Sequence, residues 1–335
     1  MFLTQNPEES GALTPGSIFH PDNAGLDHLA LELFKIQYRG NRIYRDFADA
    51  LGKNPDRVSK LEGIPFLPIG FFKTHRVVTG EFEPALIFES SRTTGSASLH
   101  YVRDPNLYRE SFRRGFEWSN GRIQDFVILA LLPGYLERPN SSLVFMVEDL
   151  IRCSGHPESG FYLRDHGKLH QMLVELEKAG RKTLLLGVTY ALLDFAAAFS
   201  LKLGHTVVME TGGMKGRGRE MVREELHEAL RRSFGVERIH SEYGMTELLS
   251  QAYAQGGGRF ACPPWMRAIA VLEDDPFRQA APGQAGTLNF IDLANRDSCA
   301  FLATEDTGIV YPDGSFEVLG RLDGSALRGC SLMTA

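Results

Sequence analysis

The chain has 335 residues, enough to bury a large core in one large domain or in two. Its 43% apolar and 23% charged residues are ordinary for a globular protein, and a formal net charge of −6 argues against general nucleic-acid binding. No run of about 18 or more apolar residues appears, so no membrane span is expected.

The stretch 1–25 is polar and lacks a basic-then-apolar signal pattern, so a cytoplasmic location is the default expectation. Leu26, Leu29, Ala30, Leu33 and Phe34 recur at helical spacing and predict a helix over 24–38. Tyr44, Phe47 and Leu51 carry a second helical stripe up to Gly52. Two prolines forbid a regular helix over 64–73, which reads as an ordered apolar loop. Beyond it, strands are expected at 85–88, 126–132, 183–188, 206–209 and 236–240. Helical patterns lie between them near 105–117, 141–153, 167–179, 190–202 and 218–233. Strands separated by helices of this length predict an α/β fold with mostly parallel pairing and helices on the sheet faces. After about residue 266 the strands shorten, at 268–272, 287–293 and 308–311, with Gly/Pro-rich turns. The expected organisation is an α/β body over 1–265, a β-rich subdomain over 266–320 and a short tail over 321–335.

The four cysteines, Cys153, Cys262, Cys299 and Cys330, form no Cys-x-x-Cys pair, and no histidine cluster lies at zinc-ligand spacing. In a reducing compartment they are free thiols.

Three motifs carry chemistry. Ser90, Ser91, Arg92, Thr93, Thr94 and Gly95, with Ser96, put five hydroxyls around a glycine directly after an apolar run. Glycine lets backbone approach a phosphate while hydroxyls and N–H groups donate to its oxygens. A polar surface loop would share this composition, and the ending of a Walker loop is absent. Tyr243, Gly244, Met245, Thr246 and Glu247 follow the expected strand 236–240, at the sheet edge where open α/β folds bind ligands. Tyr243 suits stacking on a base, Thr246 a contact to the α-phosphate, and Glu247 a Mg²⁺ ion. A helix start with Thr246 as cap and Tyr243 as core is the alternative. The third motif is Glu305, Asp306, Thr307 and Gly308 followed by Gly320, Arg321, Leu322 and Asp323. Its acid suits ribose hydroxyls and its arginine phosphate or ribose oxygens; read locally, 306–308 is a hairpin turn, as 312–314 is. Gly212 and Gly213 after the strand ending near Met209 suit a floor under adenine or a tight strand-to-helix turn.

In this order the motifs resemble those of the adenylate-forming superfamily of acyl-CoA synthetases and peptide-synthetase adenylation domains. Ser90 to Gly95 is similar to its phosphate loop, and Tyr243 to Glu247 to its adenine and Mg²⁺ motif. Asp306 is similar to its ribose aspartate and Gly320 to Asp323 to its hinge motif. Within the superfamily the chain most resembles the bacterial acyl-protein synthetase (LuxE-type) family. That likeness rests on 64–73, 132–138, 141–144 and Arg328, Gly329, Cys330, Ser331 and Leu332. Two departures stand out. Arg92 occupies a usual glycine position, with Ser98 near the place of the usual loop lysine. Only twelve residues follow Asp323 (335 − 323), so the lysine-bearing C-terminal lid is expected to be missing or vestigial. Arg92, Lys215 and Arg321 are the cations available to replace that lysine.

The resemblance implies an ATP- and Mg²⁺-dependent ligase that activates a carboxylic acid, a fatty acid in the closest-resembling family, as its acyl-adenylate. It implies transfer to Cys330 and then to a partner reductase or acyltransferase. Coenzyme A, a carrier-protein thiol or an amine as acceptor, nucleotidyl transfer, and a non-catalytic nucleotide-binding role stand as alternatives. His240 fits the acyl pocket, whereas His100 and His205 read as surface or satisfied core residues.

Overall fold

The computed structural model describes residues 13–21, 23–90, 96–133, 140–163, 165–212 and 221–321. The N-terminal part forms α1 (Pro15–Ile18), α2 (Asn23–Gly40) and α3 (Arg42–Ala50), close to the expected helices. Asn41 separates α2 from α3, its side chain accepting the Tyr44 N–H at 3.0 Å as an N-cap. The 64–73 segment is ordered: β1 (Leu67–Pro68) pairs in parallel with Leu302 and Ala303, and a 3₁₀ turn follows over Ile69–Lys73. A short antiparallel pair, β2 (Leu86–Glu89) and β3 (Leu99–Val102), comes next.

The body alternates α4 (Pro105–Asn120), β4 (Val127–Leu131), α5 (Ser142–Ser154), β5 (Gly160–Phe161), α6 (His166–Lys178), β6 (Thr183–Val188), α7 (Thr189–Ala198), β7 (Thr206–Thr211), α8 (Arg223–Phe234), β8 (His240–Tyr243) and β9 (Ala252–Ala254). These strands form a six-stranded sheet in the order β5-β4-β6-β7-β8-β9, parallel except for β9. Every residue of β4 and β6 is buried, as helices on both faces require.

The chain closes with β10 (Met266–Val271), β11 (Ala285–Asp292), β12 (Phe301–Val310) and β13 (Phe316–Arg321) in a second, antiparallel sheet whose far edge is β1. Among the described residues no helix is long and apolar enough to cross a membrane.

The α/β fold is borne out, with mixed rather than mostly parallel pairing: the six-stranded sheet is parallel except for β9, whereas β2–β3 and β10–β13 pair antiparallel. The strand expected at 236–240 begins at His240 instead, so Tyr243 ends the strand rather than following it. Its register is set by pairing with Met209, Glu210 and Thr211, which holds the polar run His240, Ser241, Glu242 extended where an apolar pattern gave no signal. Residues 306–308 are no hairpin turn. They lie inside β12, where a register shift between Thr307 and Gly308 opposes β13. Gly320 and Arg321 pair in that same ladder as strand residues, and the hairpin turn is at 312–314, with Gly314 at φ 81°.

Candidate active site

β8 delivers its last residue, Tyr243, to the C-terminal edge of the parallel sheet, and the chain then turns sharply. Space at Gly244 is tight: a Cβ there would meet Glu242 Oε1 at 2.6 Å and Gln251 Cγ at 3.3 Å, so the Glu242 carboxyl would have to shift. The Leu248 N–H donates to the Met245 carbonyl at 3.2 Å, closing a turn whose central residues are Thr246 and Glu247. Thr246 is half-buried and Glu247 buried. The segment that follows is pinned by the buried Asp292 carboxylate. It accepts the Leu249 N–H at 2.8 Å, the Ser250 N–H at 3.0 Å and the Ser250 hydroxyl at 2.6 Å. Burial still raises Asp292 to a pKa of about 6 against these bonds.

The Glu247 carboxyl is pushed upward by burial and held back by Ser98, by its own backbone and by the charges of Arg321 and Lys73. Ser98 also closes the neck of the hydroxyl-rich loop. Its N–H donates to Ser90 Oγ at 2.9 Å, and the Ser90 N–H donates to its carbonyl at 3.1 Å. Ser98 thus bonds Ser90 and acts on Glu247, residues 157 positions apart by numbering (247 − 90).

On the other side the Tyr243 hydroxyl donates to Asp306 Oδ2 at 2.7 Å, and Arg321 Nε donates to Asp306 Oδ1 at 3.1 Å. The Tyr243 ring packs against Phe290 at 5.2 Å, Phe316 at 5.5 Å and Phe260 at 5.9 Å between centroids. Burial first, then the Asp306 carboxylate, drives the tyrosine pKa well above its ordinary value. Tyr243 of the second motif and Asp306 and Arg321 of the third form one hydrogen-bonded set.

Below the turn, two buried acids on adjacent strands point to opposite faces of the sheet. The Thr211 hydroxyl donates to Glu242, whose carboxyl burial raises to a pKa of about 7. Glu210 accepts from Thr189 Oγ1 at 3.2 Å and lies 3.6 Å from His227 Nε2. Gly212, exposed and at φ 67°, ends this edge, and its carbonyl accepts the Thr189 hydroxyl at 2.7 Å.

Ser91, Arg92, Thr93, Thr94, Gly95, Gly213, Lys215 and Cys330 lie outside the described residues. Of the other thiols, burial pushes Cys262 and Cys299 up to about 12 and raises Cys153 too, so none favours the thiolate. His205 is exposed, and His240 starts β8 at the end away from the turn.

Sequence reasoning set Ser98 beside the phosphate loop and read His100 as a surface or satisfied core residue, and it missed Lys73 and Asn295 as members of this region. Lys73, half-buried at the end of the 3₁₀ turn, makes no ion pair with a described carboxylate within 4.0 Å yet acts electrostatically on Glu247. Its signal was present: a lone lysine closing an otherwise apolar run, Phe71-Phe72-Lys73. His100 and Asn295 had no local signal, because their partners are backbone carbonyls far along the chain.

No family model matches the chain. It is 23% identical over 334 residues to the long-chain-fatty-acid–luciferin-component ligase of Aliivibrio fischeri, covering 92% of this chain and 87% of that protein. The ligase of the same name from Vibrio harveyi is 23% identical over 327 residues, covering 89% and 84%. Among solved structures, an open conformation of 2-hydroxyisobutyryl-CoA ligase with 2-HIB-AMP and CoA matches at TM-score 0.65 and 12% identity, over 91% of this chain and 72% of that one. ATP-bound MatB from Rhodopseudomonas palustris matches at TM-score 0.53 and 16% identity over 72% of this chain, which spans about half (49%) of that chain. The resemblance to the adenylate-forming superfamily therefore holds in sequence and in fold.

Proposed function

We propose that this chain is an AMP-forming acid–thiol ligase, activating a carboxylic acid with ATP as an acyl-adenylate and passing the acyl group to a thiol. The observation that carries this reading is the convergence of two sets at one sheet edge: Ser90–Ser98–Glu247 and Tyr243–Asp306–Arg321. The likeness to fatty-acid and acyl-CoA ligases across most of the chain supports it.

The hydroxyl-rich loop from Ser90 to Gly95, with Arg92, receives the phosphates. Thr246 meets the α-phosphate, Asp306 and Arg321 meet ribose and phosphate oxygens, Tyr243 lies beside adenine, and Gly212 with Gly213 forms the floor. Glu247 suits Mg²⁺, since that ion takes one or two carboxylates and completes its shell from phosphates and water. When bound, the ion neutralises phosphate charge. Arg321 and Lys73 flank the same carboxylate and add positive charge where negative charge builds up.

In the first step an oxygen of the substrate carboxylate bonds to the α-phosphorus while the bond to the bridging oxygen breaks and pyrophosphate leaves. No general base is needed, because the carboxylate is already ionised near neutral pH. In the second step a thiolate attacks the acyl carbonyl and AMP leaves with the electron pair. Cys330 is the candidate acceptor within the chain, and a reductase or acyltransferase the candidate partner after it. Coenzyme A is the second reading for the acceptor, favoured by fold neighbours that are CoA ligases.

A panel of carboxylic acids in a pyrophosphate-release assay tests the first step, with at least one acid expected to stimulate release. If none does, adenylation is not the activity. Intact mass after incubation with ATP and acid, for wild type and Cys330→Ala, tests the acceptor. An acyl adduct lost in the variant supports self-acylation, and acyl-CoA formation by an unmodified chain supports the second reading.

A further inference from the structure

The central carbonyls of a tight turn have no partner inside the turn, and when buried they need donors from elsewhere. At 245–248 the two central residues are Thr246 and Glu247. The Thr246 carbonyl lies 2.7 Å from His100 Nδ1, and the Glu247 carbonyl accepts the Asn295 amide Nδ2–H at 2.7 Å. A carbonyl only accepts, so His100 carries a proton on Nδ1. Both donors are buried, at 1% and 0% exposure. His100 is fixed from behind by Phe72, edge-on at 5.8 Å, and by its place in β3 opposite Phe88. Asn295 sits in the loop that β11 enters through Asp292, the carboxylate that holds Leu249 and Ser250. A donor from one strand, β3, and a donor from the loop after β11 therefore hold the two central carbonyls of the turn.

Resting on the reading above, in which Thr246 and Glu247 meet phosphate and metal, we propose that His100 and Asn295 are positioning residues for the reaction: they fix the peptide planes of the turn and so the aim of both side chains. Burial supports the required neutral ring, lowering His100 to a pKa of about 4. A donor at this place serves alignment, and misplacement by about 1 Å costs about 10²-fold in rate.

The test uses the purified full chain with His100→Leu, which keeps apolar bulk without a donor, and His100→Asn, whose amide can replace the Nδ1–H. Amide hydrogen exchange across 244–250 reads the turn without reference to any reaction. His100→Leu should speed exchange there by about 10-fold with little change elsewhere, and His100→Asn should restore much of the protection. In acid-dependent pyrophosphate release, His100→Leu should lower kcat by about 10²-fold with ATP KM within about 3-fold, and His100→Asn should recover most of the loss. Should His100→Leu fail to fold, Asn295→Ala removes the second donor, that of the Glu247 carbonyl, and is read by the same exchange and kinetic measurements. Unaltered exchange in 244–250, or equal kcat for the Leu and Asn variants, overturns the proposal. Local exchange that responds in a protein inactive on every acid leaves the turn's clamp standing and defeats the assigned reaction, so the two failures are distinct.

Discussion

The two walls of the site are built in opposite ways. The wall from the parallel sheet, the turn after β8, is held by buried groups: Asp292 on Leu249 and Ser250, His100 on Thr246, and Ser98 on Glu247. The wall from the antiparallel sheet ends in Arg321, whose side chain is 57% exposed while it pairs with the mostly buried Asp306. Exposed ion pairs are worth little, typically about 0–1 kcal/mol, so the Arg321 pairing is one a nucleotide can replace. The first wall is prearranged, and the second offers a largely exposed arginine on an aspartate that also accepts from Tyr243. Such a division suits the proposed role of the site, in which the Glu247 carboxylate is held rigidly while a nucleotide is admitted and released.

Four experiments break or sharpen that contrast. Glu247→Gln strikes the rigid wall at its charge, and acid-dependent pyrophosphate release should fall by about 10²–10³-fold. Wild-type rates in that variant would remove Glu247 from the chemistry.

The acid beneath the same wall makes stability depend on pH. Burial raises the folded pKa of Glu242 from 4.5 to about 7, so the folded state keeps a proton that the unfolded chain releases. Its contribution is fully present below pH about 4.5 and is lost as pH rises through about 7, amounting to roughly 3 kcal/mol at most. Urea-unfolding midpoints between pH 5 and 8 should fall less steeply for Glu242→Gln than for wild type. Parallel pH dependences would mean that the carboxyl is solvated or compensated.

Gly244→Ala places a methyl group against Glu242 and Gln251 and should cost about 1–3 kcal/mol in chemical denaturation, with loss of activity. A variant as stable as wild type would show that the turn yields. The smallest effect is expected for Tyr243→Phe, which cuts only the 2.7 Å bond between the walls. Stability should change by about 1 kcal/mol and ATP KM by a few-fold, measured by denaturation and steady-state kinetics. A loss as large as that of Glu247→Gln would mean that the second wall is as rigid as the first.

The sequence by itself determined the parallel α/β body, the order of the motifs and the identity of Tyr243, Glu247, Asp306 and Arg321 as site candidates. Helical stripes, buried strands and glycine-bearing turns are local patterns, and local patterns survive in one dimension. Tertiary structure alone decided that β8 is the polar run ending at Tyr243, because its extended form comes from pairing with β7. It alone decided that Ser98, Lys73, His100 and Asn295 surround the turn. His100 reaches Thr246 across 146 positions, Asn295 reaches Glu247 across 48, and Tyr243 reaches Asp306 across 63. No spacing rule anticipates a backbone carbonyl satisfied from so far away. Burial creates the need for a donor, and only the packing of separate strands determines which side chain supplies it.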